Sequence, residues 1–205
     1  ELDSSCTMRT QIIISSADVE KLKQKARKQK KDSGTPHHEA LDQVAQAAGF
    51  NHWHHVSESA KAFKPTEQAY YFGVIIAMDV KDAMDFRDPS GGFVEDPFAF
   101  ALCADDIYAY IREADDDGDS ADDDQHYAED KDEWMQDEWM QDEIMNYVFF
   151  RYTGPTVPEQ VNDVVAMVRE CSFWPPVFIW HKGAFQESPS DEAIDEDGEI
   201  VGIRF

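Results

Sequence analysis

Apolar side chains recur along this chain at two spacings, and each spacing predicts a different element. In SADVEKLKQKARKQKKDSG, Val19, Leu22 and Ala26 stand three and four apart. That predicts an amphipathic helix with Ser16 as N-cap and Gly34 as its stop. A second helix is predicted from Pro36, with Leu41, Val44, Ala45 and Ala48 on one stripe and Gly49 ending it. NHWHHVSESAKAF predicts a third, short helix with Trp53 and Val56 inward, and Pro65 with its polar neighbours closes this region. Before the first helix, RTQIII at 9–14 reads as a short strand.

Beyond Pro65 the spacing changes. QAYYFGVIIAMDV is rich in aromatic and β-branched residues and predicts a strand. DPSGG at 88–92 is a turn signal. Asp96 and Pro97 predict the capped start of a helix whose inward positions are Phe100, Cys103, Ile107, Tyr110 and Ile111. Residues 114–130 are acidic with few large apolar groups, and predict a loop. DEWMQDEWMQDEIMN then repeats five residues, and predicts a helix running to about Tyr152. Five residues advance a helix by about 500°, so the Trp-Met pairs spiral round it instead of lining one face. VPEQVNDVVAMVREC predicts a helix with Val161, Val164, Val165 and Val168 inward, SFWPPVFIWHKGAF an aromatic strand, and EIVGIRF a final strand after a polar tail. The sum is an α+β fold. A basic strand–helix–helix module occupies 9–63, an acidic α+β domain 66–205, and residues 1–8 read as an added leader or disordered start. Strand order does not follow from the pattern.

Charge sharpens that division. The 205 residues carry a formal net charge of −25. Residues 1–64 hold ten Lys/Arg against eight Asp/Glu, and residues 65–205 hold eight against thirty-five. So negative a surface repels nucleic acid and anionic membranes and attracts cationic partners. Only the first third has a footprint suited to nucleic acid. The 12% aromatic share can fill a sizeable core. Cys6, Cys103 and Cys171 are odd in number and far apart, which suits reduced thiols in a cytoplasmic protein. No apolar run approaches the length of a membrane span.

TPHHEALDQVAQAAGFNHWHHV, with the basic helix before it, resembles a short module of bacterial mobile-element proteins known as "glyoxalase-related". The matching positions are His38, Ala40, Leu41, Ala45, Gly49, Phe50 and Trp53, and the likeness spans about residues 9–63. It implies a helical head of bacterial origin and transfers no catalytic residue. The strand–helix–helix order of 9–48 is also similar to ribbon-helix-helix DNA-binding units, used by many antitoxins. That similarity implies a ribbon inserted in the major groove, read by Arg9, Gln11 and Ile13 or by Thr10, Ile12 and Ile14. Only the first set offers polar readers, and the first helix is longer than that fold usually has.

Candidate chemistry is sparse. His37, His38, His52, His54 and His55 cluster without metal-ligand spacing, and a polar cap with a surface turn explains them as well. EADDDGDSADDD at 113–124 can be aligned with a calcium loop, bringing Asp115, Asp117, Asp119 and Asp124 to ligand positions. Ser120 stands where that loop wants an apolar residue. Asp79, Asp82 and Asp85 follow a strand, with no nucleophile or base spaced to join them. No phosphate-binding Gly loop, nucleophile elbow or Cys-x-x-Cys is present.

The basic helix can meet phosphates, through Lys23, Arg27 and Lys30, together with Arg9 and Gln11 on the strand. It can equally present a solvated face or pair within a homodimer. In the repeat, Trp134, Met135, Asp137, Glu138, Trp139 and Met140 combine apolar anchors with flanking carboxylates, suited to a basic protein partner. The expectation is a non-enzymatic acidic interaction protein, antitoxin-like or inhibitor-like, binding a basic nucleic-acid-processing protein, with DNA binding or dimerisation by the first module. A nucleic-acid mimic that blocks a restriction or defence enzyme is the alternative, and a calcium- or metal-dependent enzyme a third reading. No other cofactor is expected, and no membrane.

Overall fold

The computed structural model describes residues 12–116, 144–195 and 197–204, with side chains omitted for 112–116. It is an α+β chain that divides into two compact units, Glu1–Glu67 and Gln68–Phe205.

The first unit is helical. Helix α1 spans Ser16–Ser33. Its N-cap is Ser15, one residue earlier than the sequence suggested, and the Ser15 hydroxyl accepts from the Asp18 N–H. Gly34 closes the helix at φ 70°, a left-handed conformation that glycine adopts without strain, with its N–H bonded to the Lys30 carbonyl. Helix α2 spans His37–Ala47. Leu22 and Ala26 of α1 and Ala40, Val44 and Ala45 of α2 share a small core with Ile14, Phe50 and Val56. Ala48, expected on that stripe, is exposed. Ile12–Ile14 form no strand, and Arg9 and Gln11 lie outside the described residues, so the described part of the expected ribbon is irregular.

Helix α3 spans Trp53–Phe72 and continues past Pro65, beyond the short third helix that the sequence predicts. A proline inside a helix removes one hydrogen bond and costs about 3 kcal/mol. Val56, Phe63, Thr66 and Ala69, at helical spacing on both sides of Pro65, are all buried, and that burial carries the helix past it. It also converts Gln68–Phe72, expected as strand, into helix.

The second unit is built on a five-stranded sheet of order β2-β3-β1-β4-β5 in which every pairing is antiparallel. The strands are β1 (Val74–Asp79), β2 (Phe93–Glu95), β3 (Tyr147–Tyr152), β4 (Phe178–His181) and β5 (Ala184–Glu187). Short helix α4 (Val80–Ala83) follows β1. A 3-10 turn at Pro97–Ala99 leads into α5 (Phe100–Asp116), and α6 spans Val161–Arg169.

The central strand β1 is buried on both faces, as a strand between two helical layers must be. Ile75 and Ala77 face Cys103, Ala104 and Ile107 of α5, with Phe149, Phe178 and Trp180. Val74, Ile76 and Met78 face Val164, Val165 and Val168 of α6, with Phe86, Phe93 and Phe150. The period-2 alternation of one six-residue strand thus feeds two cores.

Three sequence expectations are corrected here. Tyr147–Tyr152 is strand β3, not the end of a helix. YVFFRY pairs along β1 through five consecutive positions, and this ladder overrides any helical continuation from the repeat. The single aromatic strand is a hairpin, since Lys182 (φ 52°) and Gly183 (φ 82°) form a two-residue turn between β4 and β5. The polar tail contributes β6 (Glu192–Ile194), which pairs with β7 (Ile200–Ile203) as a separate two-stranded sheet.

Candidate interaction surfaces

In the first unit, α1 concentrates the cations. Leu22 and Ala26 form its buried seam, and two cationic rows flank the seam at spacings of four and three. Lys21, Lys25 and Lys28 lie on one flank, Lys23, Arg27 and Lys30 on the other. Lys21 pairs with Asp18 at 2.8 Å and Lys23 with Glu20 at 2.6 Å. Asp18 belongs to the first turn, and the Lys21 contact together with the Ser15 hydroxyl holds its carboxyl below its ordinary range. Lys25, Arg27, Lys28, Lys30 and Lys31 are exposed and form no ion pair among the described residues.

His52 and His55 serve local structure. The His52 ring nitrogen accepts the His55 N–H and the His55 ring nitrogen accepts the Asn51 N–H, while Asp42 of α2 accepts the Trp53 N–H at 2.8 Å. These bonds satisfy donors at the start of α3. No group of three His, Cys, Asp or Glu among the described residues is arranged to hold a metal ion.

In the second unit the polar groups nearest the core are structural. The Asp106 carboxylate accepts from the Tyr70 hydroxyl at 2.7 Å and the Trp180 indole N–H at 2.8 Å, joining α3, α5 and β4. Burial, and the bond to Asp106, raise the Tyr70 phenol well above its ordinary range. Asp96, almost fully buried, caps the 3-10 turn by accepting from the Phe98 N–H and pairs with Arg151 of β3 at 3.0 Å. A cavity of about 140 Å³ is lined by Asp88, Ser90, Phe93, Met167, Glu170 and Cys171. Burial, with Asp88 and Glu170 close by, pushes the Cys171 thiol up to about 11, so it is protonated at neutral pH and a poor nucleophile. Burial acts to raise the Asp88 carboxyl too. It is outweighed by bonds from Ser90 and from the Phe93, Ser90 and Gly91 N–H groups, which hold Asp88 below its ordinary range as the organiser of the 88–92 turn. Asp79 likewise caps α4, and Asp82 pairs with Arg204.

The surface with unused potential is the β6–β7 hairpin. It is fixed to the body of the unit at several points. Ala193 is fully buried. The Arg204 guanidinium donates to Asp82 at 2.6 Å and to the Pro175 carbonyl, and lies 5.5 Å from the Trp174 ring centroid. Arg169 of α6 donates to the Ser190 hydroxyl and the Glu192 carbonyl. A methyl group at Gly202 would approach Trp174 Cη2 to 2.7 Å, so the glycine lets the indole lie directly against β7. Ile200, Val201 and Ile203 are nevertheless about half exposed, as is Phe173. Asp191, Glu192, Asp195, Asp197 and Glu199 belong to the same hairpin, with the Asp195 carboxylate accepting from the Asp197 and Glu199 N–H groups. The sequence pattern marks β7 but not β6. The Asp197-Gly198 pair between DEAI and EIVGI was the available hairpin signal.

The expected partner-binding residues Trp134, Met135, Asp137, Glu138, Trp139 and Met140 lie outside the described residues, as do Asp117, Asp119 and Asp124 of the calcium reading. Asp115 falls in the last turn of α5. Lys23, Arg27 and Lys30 are brought together on α1. No helix among the described residues is long and apolar enough to cross a membrane. Compared with protein families, curated proteins and solved structures, the chain matches none.

Proposed function

We propose that this chain is a non-enzymatic interaction protein, antitoxin-like or inhibitor-like. Its second unit binds a basic nucleic-acid-processing protein, and its first unit contacts DNA. One observation carries the reading. Half-exposed aliphatic side chains on β7 sit among carboxylates on a hairpin that is itself firmly anchored. Apolar anchors supply affinity, and surrounding charge of one sign supplies steering and choice of partner. Residues 68–205 hold thirty-four Asp/Glu against eight Lys/Arg, which favours a cationic partner. On α1, five exposed cations without ion pairs among the described residues support phosphate contact by the first unit.

The test is capture on the immobilised full chain from an extract of its host, eluted by rising salt. A basic nucleic-acid-processing protein should be retained and released late. Retention of no basic protein at low salt would end the proposal. Broad inhibition of unrelated DNA-binding proteins would favour a nucleic-acid mimic instead.

A further inference from the structure

A short helical stretch seldom holds by propensity alone; packing of its side chains holds it. The end of α3 shows the need. Pro65 has no N–H, so the Lys61 carbonyl lacks its helical partner. From there the helix reads PTEQAYYF, in which Pro, Thr, Tyr and Phe are all indifferent or poor helix formers. Two sets of contacts hold this stretch. Toward its start, Phe63 and Thr66 are buried. Toward its end, Ala69 and Tyr70 pack into the cluster that holds Cys103 and Ile107 of α5, and the Tyr70 hydroxyl donates to the Asp106 carboxylate at 2.7 Å.

Between them stands Glu67, which serves α1. Its carboxylate accepts from the Ser16 N–H at 2.9 Å and from the Ser16 hydroxyl. Ser16 is the first residue of α1, so its N–H has no acceptor within the helix, and a carboxylate is favoured at that positive end. The N-cap hydroxyl of Ser15 is taken by the Asp18 N–H, which leaves the Ser16 N–H to Glu67.

We infer that α3 is a relay. Anchoring of Ala69 and Tyr70 in the second unit's core keeps the turn that carries Glu67 helical, and so holds the start of the cationic helix α1. Glu67 and Tyr70 are less than one helical turn apart, so both grips bear on the same turn. When Tyr70 lets go, α3 frays back toward Pro65, where the backbone ladder already has a gap, and the fraying passes Glu67. The start of α1 then loses its acceptor, while Leu22 and Ala26 stay packed in their own cluster. The coupling reaches the first turn of α1 and not its buried seam. Nothing in this relay depends on what either unit binds.

The experiment is amide hydrogen exchange of the full chain, read residue by residue by NMR. Glu67→Ala should speed exchange at Ser16 by about fivefold, the factor set by one ordinary hydrogen bond. Tyr70→Phe keeps the ring in place and removes only the bond to Asp106; it should speed exchange at Ser16 by about threefold. The two together should do no more than Glu67→Ala alone, because the second change then has nothing left to release. Ala26 in mid-α1 and Ile76 in β1 should exchange as before, which shows both units still folded. Pro65→Ala restores the missing donor, and in its background the Tyr70→Phe effect at Ser16 should shrink. Unchanged exchange at Ser16 in Tyr70→Phe overturns the relay, as does a double variant whose effects multiply. Equal acceleration at Ser16 and Ala26 is general loosening and overturns it too. So does an effect that is undiminished in the Pro65→Ala background.

Discussion

The two units solve the same problem, covering apolar surface, with different side chains. In the first, the buried cluster is mostly small: Leu22, Ala26, Ala40, Val44, Ala45 and Val56, with Ile14 and Phe50. In the second, aromatic rings dominate, with Trp180, Phe149 and Phe178 on one face of the sheet and Phe86, Phe93 and Phe150 on the other. The small cluster limits how much each residue can contribute, since burying a large apolar side chain yields about 1.5–3 kcal/mol and an alanine far less. The first unit thus carries its charged helix on a small core of mostly small side chains. The second sets a partly apolar hairpin beside a large aromatic core. Surface chemistry differs too: cations without ion pairs among the described residues sit on the first unit, and half-exposed aliphatics on an acidic hairpin on the second.

That contrast can be broken by mutation. Trp180→Ala should cost about 3–5 kcal/mol in urea unfolding, because it empties the aromatic core and leaves Asp106 without its indole donor. Leu22→Ala should cost less, about 2–3 kcal/mol, because small neighbours can close around the gap. If Leu22→Ala proves the more damaging, the difference in core type is not what separates the units. Asp96→Ala should cost about 2 kcal/mol by the same measurement, from the lost cap and the deserted Arg151.

Two smaller effects sharpen the contrast at the surface. Lys23→Gln, Arg27→Gln and Lys30→Gln should leave stability nearly unchanged, while each lowers the salt slope of duplex-DNA binding by about 1. An unaltered slope would show that α1 does not touch phosphates. The smallest effect is on pH dependence. The folded Asp88 carboxyl is depressed, so its contribution to stability is present above the ordinary carboxylate value of 3.8 and is lost as pH falls through the lower folded value. Asp88→Asn should therefore narrow its deficit relative to the unmodified chain below about pH 4, measured by urea midpoints. A constant deficit at every pH would mean that the charge of Asp88 does not contribute.

Where local chemistry decides, the sequence is readable. Gly34, Gly49 and the Asp96-Pro97 start all mark helix ends, because positive φ and capping are single-residue properties. Long-range contact decided the rest. Pro65 is a breaker only until burial of Phe63 and Thr66 is counted. YVFFRY carries the aromatic and β-branched signature of a strand, but the repeat before it extended a helical frame across it. Only pairing with β1, some seventy residues earlier, settles the matter. The hairpin surface was half visible: EIVGI as a strand, but not its partner in the acidic tail, where Glu192 and Asp191 mask the short pairing segment. A carboxylate-rich tail looks solvated whether or not it is folded.

The single Asp106 carboxylate that accepts from both Tyr70 and Trp180 has a consequence for inheritance. Replacing the acid alone strands two donors, while replacing either donor alone leaves the acid half-served. Drift at these three positions is therefore epistatic. A descendant that loses the carboxylate will also have lost the phenolic hydroxyl and the indole, through a joint change to apolar side chains of similar volume, and chains caught midway should be scarce.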